Sequence, residues 1–154
     1  MAHCRKKCLS VLLTEACNLR CKYCYCGEER GNRKINIKFV KKAIEDFKDS
    51  GNELFIRYFG DGEPVLEFEM IKEITEFSRK LDSNAYFELQ TNGTFSEEKA
   101  KWIAENIDIV WISYDGTTKV NDFYRPNLSG NSMSTIVEKN IRYLNNKVKE
   151  LGVR

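Results

Sequence analysis

Cys17-Asn18-Leu19-Arg20-Cys21-Lys22-Tyr23-Cys24 places three cysteines at a C-x3-C-x2-C spacing, directly after the apolar run of residues 9–13. Three thiolates so close in sequence can hold three irons of a cubane iron–sulfur cluster. The fourth iron then has no protein ligand from this loop and stays open to another molecule. Ligation by four cysteines suits plain electron transfer, whereas an open corner suits chemistry at the metal. The spacing matches neither the ferredoxin-type runs nor a pair of C-x2-C zinc knuckles.

Six cysteines in 154 residues also raise a disulfide reading. Cys17, Cys21, Cys24 and Cys26 fall within ten residues, and disulfide frameworks spread their cysteines to close longer loops. Metal binding fits such clustering better. A zinc site on Cys17, Cys21, Cys24 and Cys26 is the plainer alternative. It requires Cys24 and Cys26 to reach one ion across a single residue, which is cramped for a tetrahedron. A lone histidine, His3, is too few for a Cys/His set.

The rest of the composition bounds the class. A content of 42% hydrophobic and 31% charged residues describes a globular chain with a core. The net charge of +2 gives no argument for nucleic acid or for an anionic membrane. No apolar run approaches the roughly 20 residues of a membrane span. The basic start is followed by only five apolar-rich residues, 9–13, too few for a signal-peptide core. These features place the protein in the cytoplasm.

Outward from the cysteines, strands and helices alternate. Residues 9–13 read as a first strand buried on both faces. Asn36 caps a helix whose stripe is Ile37, Val40, Ile44 and Phe47, closed by Ser50-Gly51. Residues 54–59 form a second strand and 67–81 a second helix. Residues 85–89 form a third strand, and Ser96 caps a third helix with Ala100, Ile103, Ala104 and Ile107 on its buried face. Residues 109–112 form a fourth strand. A loop rich in Asn, Ser and Gly precedes a last helix carrying Val137, Ile141, Leu144, Val148 and Leu151. The pattern predicts an α/β fold with parallel strands and right-handed crossovers, in one domain over residues 1–154. Gly152-Val153-Arg154 reads as the approach to a fifth strand that the chain does not reach, so the sheet is expected to be incomplete at the C-terminus. Its uncovered edge makes self-association plausible.

Ligands of parallel α/β folds sit beyond the C-terminal ends of the strands. After strand two comes Gly60-Asp61-Gly62-Glu63-Pro64; after strand three, Gln90-Thr91-Asn92-Gly93-Thr94; after strand four, Ser113, Asp115 and Gly116. With the cysteine loop, four polar, glycine-containing loops converge on one rim. Glycine there allows the backbone to approach a ligand closely.

The motif Cys17-x3-Cys21-x-Tyr23-Cys24 resembles the signature loop of the radical S-adenosylmethionine (radical SAM) enzymes. Gly62-Glu63-Pro64 resembles their G-G-E-P motif, with Asp61 in place of the first glycine. Ser113-Tyr114-Asp115-Gly116 followed by Arg125 resembles the S-L-D-G…R segment of anaerobic sulfatase maturases and ribosomal-peptide maturases. The resemblance implies a partial (β/α) barrel, of which about four β/α units are expected here. It implies a [4Fe-4S] cluster on Cys17, Cys21 and Cys24, with S-adenosylmethionine chelating the open iron. Gly62 and Glu63 would meet the amino group of the cofactor, Ser113 and Asn92 would line its pocket, Arg125 would pair with its carboxylate, and Tyr23 would contact its adenine. Asp61 would reinforce the ammonium site or cap the next helix.

An external one-electron reductant of the flavodoxin or ferredoxin class, and a peptide or protein substrate, complete the implied chemistry: reductive cleavage of the cofactor and hydrogen abstraction. No catalytic acid or base is named by it. Cys4, Cys8 and Cys26 have no counterpart in the resemblance; Cys8, at the base of strand one, is expected to be a buried apolar residue or a free thiol. An electron-transfer module that binds a cluster but no S-adenosylmethionine is the competing reading, beside zinc.

Overall fold

The structure, a computed structural model, describes residues 7–27 and 31–154. The sequence readings of His3 and Cys4 lie outside them. Five parallel strands form one open sheet in the order β1-β2-β3-β4-β5, and helices cross between them. The strands are β1 (Leu9–Leu12), β2 (Phe55–Phe59), β3 (Tyr86–Thr91), β4 (Ile109–Ile112) and β5 (Glu150–Val153). The helices are α1 (Ile37–Asp49), α2 (Phe68–Leu81), α3 (Glu97–Asn106), α4 (Thr118–Tyr124) and α5 (Ser134–Leu144). No helix among the described residues is long and apolar enough to cross a membrane.

One face of the sheet carries the core. Val11, Ile56, Tyr58, Phe87, Leu89, Val110 and Ile112 alternate along their strands and are buried against the helices. α1 contributes Val40 and Ile44, α2 Ile71 and Ile74, and α3 Ala100 and Ile103. Side-chain oxygens start these elements as their sequences predict: Asn36 accepts from Lys38 N and Phe39 N, and Ser96 accepts from Lys99 N. The Tyr58 hydroxyl, wholly buried, pairs with Thr75 Oγ1 at 2.7 Å and so carries its polar atom into the core at little cost.

The opposite face is largely free of helices, which corrects the reading of strand one. Val11 is buried, but Leu12 is 43% exposed and Phe59, its register partner on β2, 37% exposed. A continuous apolar run signals burial without saying which face another layer covers. This inner face is mixed in character: Arg57 and Glu88, register partners, form an ion pair at 2.9 Å on it. Cys8 lies near that pair as a half-buried free thiol, its pKa raised by burial first.

The C-terminal segment is the larger correction. Residues 150–153 are a strand, paired in parallel with β4, where the sequence reading stopped at four strands. Leu151 belongs to that strand and not to the last helix, which ends at Leu144. Asn146, with φ 62°, turns the chain out of the helix. Gly152 hides the strand signal for a packing reason: a Cβ there would lie 2.0 Å from the ring carbons of Trp111, whose indole crosses the strand at that point. Two smaller differences bear on the site. A 3-10 turn, Pro64–Glu67, precedes α2, and α4 lies where only a loop was expected.

Candidate active site

The rim at the C-terminal ends of the strands forms one cavity of about 210 Å³. Cys17, Cys21, Tyr23, Cys24, Gly62, Glu63, Asn92, Ser113 and Arg125 all border it, so the structure brings together every site residue named from the sequence. Gln90, quoted above only as part of the loop after strand three, and Arg154, quoted only as the end of the chain, border it too. They are held to each other by a 2.5 Å bond from Arg154 Nη2 to Gln90 Oε1, and the Arg154 guanidinium lies 5.4 Å from the Trp111 ring. Arg154 could be found only by recognising β5, whose end it occupies.

The loops that form the cavity are hydrogen-bonded to one another. Gly62 N donates to Thr14 O at 3.1 Å and Glu63 N to Ala16 O at 2.8 Å, docking the β2 loop on the start of the cysteine loop. Gly62 is therefore required by the backbone of the loop after β1: a Cβ at this position would lie 2.1 Å from Ala16 O and 2.7 Å from Thr14 O. Gly62→Ala is expected to destabilise the fold by about 2 kcal/mol and to displace the cysteine loop. Urea unfolding checks the first effect, and iron and sulfide uptake on reconstitution the second.

Glu63 is the most constrained carboxylate of the site. It is 4% exposed. Its Oε1 accepts from Val65 N at 3.1 Å and from Thr91 Oγ1 at 2.7 Å, and its Oε2 accepts from Asn92 N at 2.6 Å. It caps the 3-10 turn, the task left open for Asp61. Asp61 instead accepts from the Tyr25 hydroxyl at 2.9 Å. Burial pushes the Glu63 pKa up against the pull of those three donors. A carboxylate offers about four acceptor positions. Three are taken by the protein, and one is left on Oε2 for a ligand in the cavity.

Asn92 reaches the cysteine loop directly. Its Nδ2 donates to Asn18 Oδ1 at 2.8 Å and lies 4.0 Å from Cys17 Sγ, while Asn18 Nδ2 donates to Thr94 Oγ1 at 2.7 Å. The turn after Asn92 needs glycine, because Gly93 has φ +78° and its α-carbon faces Ile112 and Val137.

On the far side, Arg125 is buried. Its Nη1 donates to the Tyr23 hydroxyl at 2.7 Å, and that hydroxyl donates to Asp115 Oδ2 at 2.5 Å. Burial alone would pull the Arg125 pKa down; the nearby Cys21 thiolate and Tyr23 outweigh it and hold the pKa above the ordinary value. Burial and the bond to Asp115 push the Tyr23 phenol up, against Arg125. The Tyr23 hydroxyl is thus engaged on both sides, leaving its ring, 54% exposed, as the part a ligand can meet.

The donor set fits a cluster: Cys17, Cys21 and Cys24 border one cavity, and cysteine thiolates are the usual ligands of iron–sulfur clusters. Cys26, needed for the zinc reading, donates to Asp61 O at 3.3 Å and its thiol also meets that of Cys24, but it does not border this cavity.

Comparison with known proteins decides the family. The sequence profile of the radical SAM superfamily matches residues 11–152. The chain belongs to the radical SAM superfamily. That family uses a [4Fe-4S] cluster and S-adenosylmethionine. A cysteine-type anaerobic sulfatase-maturating enzyme of Clostridium novyi is 30% identical over 161 aligned positions, covering 96% of this chain and 43% of that enzyme. An uncharacterised protein of Methanocaldococcus jannaschii is 35% identical over 125, covering 79% and 43%. Among solved structures, anSMEcpe with bound AdoMet superposes with a TM-score of 0.80 at 26% identity, covering 96% of this chain and 43% of that one. The same enzyme with AdoMet and the Cp18Cys peptide gives 0.81. This radical SAM chain therefore spans less than half the length of those relatives.

Proposed function

We propose that this chain is the cluster- and S-adenosylmethionine-binding core, a single domain, of a cytoplasmic radical SAM enzyme that modifies a peptide or protein side chain. The observation that carries the proposal is the single cavity shared by the three cysteines, the Glu63 carboxylate, Ser113 and Arg125. Cys17, Cys21 and Cys24 would hold the cluster. Glu63, through its one remaining acceptor position, would take the cofactor's ammonium; that positive charge would offset the cost of burying the carboxylate. Gly62 acts one step back by seating the β2 loop on the cysteine loop. Ser113, fixed by its N–H to Thr91 O at 3.0 Å, and Asn92 would complete the wall.

Arg125 has donors beyond the one given to Tyr23 and would pair with the cofactor's carboxylate. The Tyr23 ring would cover the adenine. When bound, the cofactor and cluster together supply a one-electron cleavage that yields a hydrogen-abstracting radical. The peptide class of substrate is supported by the sulfatase-maturating relatives and by the peptide bound in anSMEcpe. The electron would come from an external one-electron reductant of the flavodoxin or ferredoxin class.

The proposal is tested by equilibrium binding of S-adenosylmethionine to the anaerobically reconstituted chain. Saturable binding that is lost in the cluster-free protein supports it. Cluster formation without binding returns the electron-transfer reading.

A further inference from the structure

We propose that Cys24 and Cys26 are a redox-active dithiol, which closes to a disulfide in the cluster-free chain and so withholds one cluster ligand until it is reduced; the proposal rests on the reading of Cys24 as a cluster ligand. The cluster reading leaves Cys26 without a task. It stands two residues after Cys24, and its thiol meets that of Cys24.

The backbone sets up this approach. Gly27 N donates to Cys24 O at 3.0 Å and closes a turn over residues 24–27. Gly27 takes φ +68°, which glycine adopts without strain. Two residues of extended chain would hold the α-carbons of Cys24 and Cys26 about 7 Å apart. A turn draws alternate α-carbons closer than that, towards the roughly 4.4–6.8 Å that a disulfide spans. The loop after β2 steadies the turn from the other side: Cys26 Sγ donates to Asp61 O at 3.3 Å, and the Tyr25 hydroxyl to Asp61 Oδ1 at 2.9 Å.

The two half-buried thiols open onto different spaces. Cys24 borders the cavity of Cys17 and Cys21, whereas Cys26 borders the neighbouring hollow with Glu15, Arg33 and Asp61. A small disulfide of the glutathione class therefore reaches Cys26 without entering the cluster cavity.

The chemistry is thiol–disulfide exchange. The Cys26 sulfur attacks one sulfur of oxidised glutathione; a mixed disulfide forms, and the first glutathione leaves as a thiol with the Cys26 proton. The Cys24 sulfur then attacks the Cys26 sulfur, and the second glutathione leaves with the Cys24 proton. The chain loses two electrons, oxidised glutathione gains two, and one S–S bond replaces another. A thiol reductant reverses both steps. What the pair provides is reversibility: a sulfur held in a disulfide is recovered on reduction, whereas one carried to the sulfinic level is not.

The test uses the full chain freed of iron by a chelator, reduced, and equilibrated anaerobically in glutathione buffers of increasing oxidised fraction. Iodoacetamide then blocks the remaining thiols, and trypsin and mass spectrometry follow. Cleavage after Lys22 and Arg30 yields one peptide, residues 23–30, that holds Cys24 and Cys26 and no other cysteine. It is expected unalkylated and lighter than the dithiol form by two hydrogen atoms. Half closure should need about tenfold less oxidised glutathione in native buffer than in urea, where the turn is lost. In Cys26→Ser the same peptide should be alkylated at Cys24. On reconstitution the oxidised wild type should form its cluster about tenfold more slowly than the dithiothreitol-reduced chain, because sulfide must first reopen the disulfide.

Recovery of peptide 23–30 with both thiols alkylated in every buffer overturns the proposal, as does Cys24 joined to Cys17 or Cys21 instead. Closure in urea at the same glutathione ratio overturns it too, since the fold then adds nothing to the pairing. A chain that forms no cluster even when fully reduced refutes Cys24 as a ligand and with it the withholding role, while the mass of peptide 23–30 still decides the dithiol.

Discussion

Cys24→Ala is expected to abolish assembly of a stable four-iron cluster, while Cys26→Ala leaves assembly intact. Both thiols belong to one short run, and a sequence count of cysteines does not separate them. The structure does: Cys24 borders the cavity with Cys17 and Cys21, whereas Cys26, although its thiol meets that of Cys24, donates to the Asp61 carbonyl and borders a neighbouring hollow. With one of the three thiolates removed, a second iron loses its only hold on the protein, so that two of the four must take other ligands. Iron and sulfide content after anaerobic reconstitution, with the brown absorbance of the cluster, distinguishes the variants. Equal loss in both would point back to a four-cysteine site that includes Cys26.

Replacement of Glu63 is expected to be the most destabilising polar change in the site. Glu63→Ala leaves Val65 N–H, Asn92 N–H and the Thr91 hydroxyl without an acceptor in a buried place, at a cost of about 3 kcal/mol. Glu63→Gln preserves the shape but turns an NH2 group towards at least one of the three donors, and should cost about 2 kcal/mol. The midpoint of urea unfolding checks both.

The same experiment carries a pH signature. The folded pKa of Glu63 is raised, chiefly by burial. Stability from this group is then fully present below its unfolded value, near 4.3, and is lost as pH rises through the folded value. The advantage of wild type over Glu63→Gln, a variant with no charge to titrate here, should therefore shrink as pH rises above the unfolded value. An advantage that widens would mean that the three donors outweigh burial and keep the carboxylate ionised throughout.

Much of this architecture is legible in the sequence because its signals are periodic. Val40 and Ile44, or Ile71 and Ile74, repeat at helical spacing, and the loops after β2, β3 and β4 carry their Gly, Asn and Ser where a parallel sheet puts its ligands. Other features escape for physical reasons. α4 has no buried apolar stripe: Val120 and Phe123 are exposed, and polar contacts, among them Asn121–Ser134 and Asp122–Ser134, hold it to the fold. β5 is four residues long and contains a glycine whose purpose, to admit Trp111, depends on a residue some forty positions earlier.

Glycine at position 62 is readable as a site of close approach, but the approaching group is the backbone at Thr14–Ala16. Glu63 is readable as a ligand residue; that it also joins two loops by accepting from Thr91 and Asn92 is a tertiary fact. Arg125, twelve residues beyond Ser113, gives no local sign that it is buried against Tyr23.

The central claim is that three cysteines hold a cluster whose open iron faces a pocket built for S-adenosylmethionine. Electron paramagnetic resonance of the reduced, reconstituted chain with and without S-adenosylmethionine addresses it most directly. A [4Fe-4S] signal whose g values shift when the cofactor is added, and shift less in Glu63→Ala, is the result predicted. A cluster signal indifferent to S-adenosylmethionine at saturating concentration would contradict it.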